Sequence, residues 1–95
     1  MKVVIKSPEQ LGLALRAVRR NSHVTLDVLA QTVGVSKQTA TSVEKGQAKL
    51  STMMAFLSLV GIELSVDVPE AAMEPLKRLE RARADKQNLP DDESV

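Results

Sequence analysis

Ser36, Lys37, Gln38, Thr41 and Ser42 stand within seven residues of one another. At helical spacing they share an outward side, while Ala40 and Val43 turn inward. Their chemistry is that of hydrogen bonding, not of proton transfer or nucleophilic attack. A glutamine amide bonds both N6 and N7 of adenine in a major groove. Ser36 is a good N-cap, and the helix start behind it suits a phosphate. Lys45 and Lys49 follow on a loop and are candidates for contacts to a nucleic-acid backbone. The plain alternative is that all seven are ordinary solvated residues of a surface helix and its loop.

The elements around them decide between these readings. Thr25 is a second good N-cap, followed by Leu26, Leu29, Ala30 and Val33 at helical spacing. Gly34 comes next, where a left-handed residue ends a helix at low cost, and Val35 is placed to plug the corner. The helix after the corner has almost no large apolar residue, so it is poor at building a core. Two short helices, a glycine corner and a polar second helix make a helix-turn-helix.

The run LAQTVGVSKQTATSVEKG resembles the DNA-binding domain of the lambda Cro/C1 repressor (Xre) family. KSPEQLGLALRAVR and LSLVGIELSVDV, on either side, are similar to HipB-type antitoxins, so the resemblance spans roughly residues 2–68. It implies an all-α, compact four- to five-helix Cro/C1 repressor-like DNA-binding domain. Lys37 and Gln38 would start the recognition helix, and Thr41 and Ser42 lie one turn on. It also implies that Arg19, late in the first helix, pairs with Glu44, which ends the recognition helix. The implied partners are a palindromic DNA operator and a HipA-like serine/threonine kinase toxin, with repression of the shared operon. Two positions depart from the family pattern. Leu26 stands where many members have a phosphate-binding glutamine, and a leucine cannot donate. Ala40 replaces a larger aliphatic residue and implies a lighter core.

Composition narrows the classes. Ninety-five residues suit one small domain, with no room for a separate ligand-sensing domain. There is no cysteine and one histidine, so neither a thiol nucleophile nor a cysteine zinc site is available. His23 reads as a loop residue, and no enzyme activity, metal or cofactor is expected. No apolar run approaches the roughly 20 residues of a membrane span, so a cytoplasmic protein is expected. The net charge is only +1, but residues 1–50 hold eight Lys and Arg against three Asp and Glu, and residues 51–95 hold five against nine. The basic half carries the helix-turn-helix, as a phosphate-facing surface requires.

Lys2 to Lys6 is a short β-branched run that reads as a strand, with Val3 and Ile5 on one face. Ser7, Pro8 and Gln10 are the N-cap, first position and capping-box partner of a helix that buries Leu11, Ala14, Leu15 and Val18. Ser51 reads as the cap of a fourth helix with Met53, Met54, Phe56, Leu57 and Val60 inward, ended by Gly61. Ile62, Leu64, Val66 and Val68 then alternate with polar residues, a second strand pattern. Two lone strands are marginal in water. Val3, Ile5, Ile62, Leu64, Val66 and Val68 are therefore expected to pair across a homodimer, whose two recognition helices would sit about 34 Å apart. Residues 1–68 form the DNA-binding and dimerisation domain in this reading. Residues 69–95 form an extension, with a helix from Pro75 to Lys86 and a disordered acidic tail. Two rival functions stand beside the antitoxin: a stand-alone Xre-family repressor, and a protein-interaction module whose DNA binding is vestigial.

Overall fold

Hydroxyl side chains start the first three helices. Ser7 Oγ accepts from the Gln10 N–H at 3.2 Å and opens α1, Pro8–Asn21. Gln10 reaches back to the Lys6 N–H, one residue beyond the usual capping-box partner. Thr25 Oγ1 accepts from the Val28 N–H at 3.2 Å and opens α2, Leu26–Val33. Ser36 Oγ accepts from the Thr39 N–H at 3.1 Å and opens α3, Lys37–Glu44. The fourth helix, α4, is Leu50–Leu59, and the fifth, α5, is Met73–Gln87. This computed structural model describes residues 1–87.

All four helices of the first unit end alike. A residue in the left-handed region follows each helix, and the N–H after it bonds back to a carbonyl five residues earlier. These bonds are Val24 to Arg19, Val35 to Ala30, Gln47 to Ser42 and Ile62 to Leu57, at 2.8–3.2 Å. The left-handed residues are His23, Gly34, Gly46 and Gly61. This is the Schellman closure, which satisfies carbonyls that a helix end leaves unpaired and turns the chain sharply.

Those turns stack four short helices around one core. Leu11 and Leu15 of α1, Leu29 and Ala30 of α2, Ala40 and Val43 of α3, and Met53, Phe56 and Leu57 of α4 are all buried. Phe56, the sole aromatic, is fully enclosed with Leu15 and Val43. Ile5, Val24, Leu26, Val33, Val35, Ala48, Val60 and Ile62 pack around this centre.

The chain divides into two units, Met1–Leu64 and Ser65 onward. In the second unit a single 3-10 turn, Glu70–Ala72, leads into α5. No described residue of this unit is buried.

Four expectations need correction. The described residues are all helical or irregular, with no strand at Lys2 to Lys6 or Ile62 to Val68. A strand needs the N–H and C=O groups of a neighbouring strand, and among the described residues of one copy neither segment has one. Ile5 and Ile62 instead pack on the helical core. Ser51 does not cap α4; Lys49 is the N-cap, without a side-chain bond, because the closure after α3 ends at Gln47 and leaves only Ala48 before it. Met54 is 47% exposed and fills no core. Finally, α5 starts at Met73, two residues before Pro75. A proline in the first turn loses no intrahelical bond, so Pro75 does not delimit the helix. The acidic tail, with Asp91, Asp92 and Glu93, lies outside the described residues.

Candidate nucleic-acid interface

The recognition-helix candidate α3 is held by its inner face and its C-terminal end. Ala40 and Val43 are fully buried, whereas Lys37 and Gln38 are exposed and Thr41 and Ser42 are half-buried. The polar residues therefore ride on a helix whose orientation is set by two small side chains pressed into the core.

The C-terminal end is fixed by charge and by shape. Arg19 Nη2 donates to Glu44 Oε1 at 3.0 Å, its Nε donates to Glu44 Oε2, and its Nη1 donates to the Val24 carbonyl at 3.0 Å. Both side chains of the pair are nearly covered, 12% and 8% exposed. The bond to Glu44 raises the Arg19 pKa above its ordinary value, against a smaller opposing effect of burial. One guanidinium thus ties α1, the loop before α2 and the end of α3 together in a planar fork.

Gly12 supplies the shape. A Cβ there would collide with the Glu44 carbonyl and stand 3.0 Å from the Val43 oxygen. A Cβ on Gly46 would stand 2.5 Å from the Pro8 carbonyl oxygen and 2.6 Å from the Glu9 nitrogen. Backbone touches backbone at both places, so α1 and the end of α3 sit closer than two side-chain-bearing helices can. Sequence reading passed over Gly12. The signal was there: a glycine within the apolar stripe of a helix costs stability and calls for a packing reason.

At the other end of α3 the helix start is open. Ser36 serves the Thr39 N–H, and its hydroxyl lies 3.0 Å from that of Thr39. The N–H groups of Lys37 and Gln38 have no acceptor among the described residues. They point where a helix start favours an anion. Thr41 donates its hydroxyl hydrogen to the Lys37 carbonyl at 3.0 Å, which leaves it only acceptor capacity toward a ligand. Lys45 and Lys49 are exposed at the two ends of the loop joining α3 to α4. Asp27, in the first turn of α2, holds the Lys37 ammonium at 3.5 Å. That pair was not foreseen from the sequence.

The six apolar residues expected at a dimer interface divide. Ile5, Ile62 and Val68 are half-buried within one copy, while Val3, Leu64 and Val66 are exposed. Met54, Leu57, Ser58, Ile62 and Leu64 line a shallow apolar groove beside α4. No helix among the described residues is long and apolar enough to cross a membrane.

No protein-family model and no curated protein matches the chain. Solved structures do. The chain is similar to a HipB variant in complex with an O2 20mer, with 24% identity and a TM-score of 0.65, over 74% of this chain and all of the other. It is similar to a chain of a HipA-HipB-O2-O3 complex and to HipB in an O4 20mer complex, each at 24% identity and a TM-score of 0.64, over 73% of this chain and all of the other. The chain thus has the HipB-type helix-turn-helix fold.

Proposed function

We propose that this chain is a HipB-like antitoxin. In this reading it is a homodimeric, sequence-specific DNA-binding repressor that reads a palindromic operator through α3, binds a HipA-like serine/threonine kinase toxin and represses the operon they share. The observation that carries the DNA-binding part is the division of α3. Its two small apolar residues are sealed in the core while Lys37 and Gln38 face solvent at an open helix start. Gln38 is the base reader, with Thr41 and Ser42 beside it. Ser36, Lys37, Lys45 and Lys49 set the register on phosphates. The toxin partner is supported by the shared fold with a chain from a HipA-containing complex.

Dimerisation is supported by what one copy leaves uncovered. Val3, Leu64 and Val66 are exposed, and the groove beside α4 is apolar. Pairing of the 62–68 segments across a two-fold axis gives each a ladder partner and covers that apolar surface.

A gel-shift titration with the DNA upstream of the coding sequence tests the first part. A saturable shift that outlasts competition by unrelated DNA is expected; no shift at low salt favours the protein-interaction reading instead. Co-purification of a kinase encoded in the same operon separates an antitoxin from a stand-alone repressor.

A further inference from the structure

We propose that Asp27 is an affinity-limiting residue of the DNA interface: its carboxylate competes with DNA phosphate for the ammonium of Lys37. The proposal rests on the reading of α3 as the DNA-facing helix. Three observations lead to it. Asp27 Oδ1 lies 3.5 Å from Lys37 Nζ, so the two helix starts of the helix-turn-helix are bridged by one ion pair. Both side chains are more than three-fifths exposed, which makes the pair weak as a stabiliser of the fold. Of the three acids in the basic half of the chain, Glu44 is engaged by Arg19 and Glu9 stands in the first turn of α1. Asp27 alone is set against a candidate DNA-contacting cation.

An exposed carboxylate there has a definite effect on binding. A lysine that neutralises a phosphate releases condensed counterions, and that release drives affinity. While Lys37 is paired with Asp27, its charge is already balanced and its approach to phosphate must first break the pair. Asp27 itself stands near the polyanion and is repelled by it. A chain that holds back one cation per protomer binds more weakly, and with a shallower salt dependence, than its lysine count implies. A repressor of this kind holds DNA less tightly at low salt, and its affinity falls less steeply as salt rises.

The test is a salt series of equilibrium binding to the upstream DNA with wild type, Asp27→Asn, Lys37→Met and the double variant. Asn keeps the shape and still accepts hydrogen bonds, so Asp27→Asn folds as wild type does. The expected result is about three- to tenfold tighter binding by Asp27→Asn near 0.1 M salt, with a slope of log affinity against log salt steeper by about 0.9 per freed contact. Most of that gain should vanish in the Lys37→Met background, leaving only the part due to repulsion between Asp27 and the DNA. Unchanged or weaker binding by Asp27→Asn overturns the proposal, as does a gain that persists in full without Lys37. If wild type shifts no DNA at any salt, the DNA-binding reading itself falls, and this proposal with it. A normal wild-type titration with an inert Asp27→Asn removes the proposal alone.

Discussion

Arg19 makes three hydrogen bonds from one planar group, two to Glu44 and one to the Val24 carbonyl. Lysine carries the same charge but cannot span those acceptors. Arg19→Lys is therefore expected to lower stability by about 2–3 kcal/mol, read as a lower urea midpoint with an unchanged slope. The affinity of the still-folded fraction for DNA should change far less, because both side chains are nearly covered and little of either is open to a ligand. The raised pKa has a clear sign. A cation held above its ordinary pKa by a carboxylate contributes its stability from neutral pH up to that ordinary value and loses it only in strong alkali. No midpoint change from Arg19 is expected between neutral and moderately alkaline pH. This pair could be expected by resemblance, since both positions match a family pattern. The Asp27–Lys37 pair could not, because which exposed charges meet depends on how the starts of α2 and α3 are set in space.

The four Schellman closures show which part of each element was legible. Gly34 and Gly61 stand directly after apolar stripes, so the ends of α2 and α4 were plain. The end of α1 carries no glycine signal, since His23 holds a position that favours glycine at φ 59°. His23→Gly relieves that conformation, and about 1 kcal/mol of added stability is expected by chemical denaturation. Gly12 acts through closeness of approach instead. Gly12→Ala forces α1 and the end of α3 apart, at a cost of about 1–3 kcal/mol. Because that contact aims α3, discrimination between cognate and random DNA should fall as well, measured at a temperature where the variant is folded. The strand patterns are a different case, for they form no strand within one copy of the chain. Alternation at Ile62 to Val68 states which faces are apolar, but a strand exists only with a partner, and Ile62 is taken up by the helical core.

At the largest scale, nine buried side chains among the described residues, from four helices, make the core, centred on Phe56. Helical spacing foretold most of them; it erred at Met54, whose exposure follows from α4 being short and covered on one side only. The uncovered side carries the dimer prediction. Sedimentation equilibrium should return twice the 10.3 kDa chain mass, and Leu64→Glu should lower it toward the monomer while helix content is kept. A wild-type monomer at tens of micromolar would leave the 62–68 segment without its proposed role. The central claim is that the outward face of α3 reads bases, and Gln38→Ala tests it most directly. Binding of this variant and wild type to the upstream site and to a scrambled duplex is compared at one salt concentration. A loss of about 1–3 kcal/mol confined to the upstream site is predicted. Equal loss on both duplexes, or no loss on either, contradicts it.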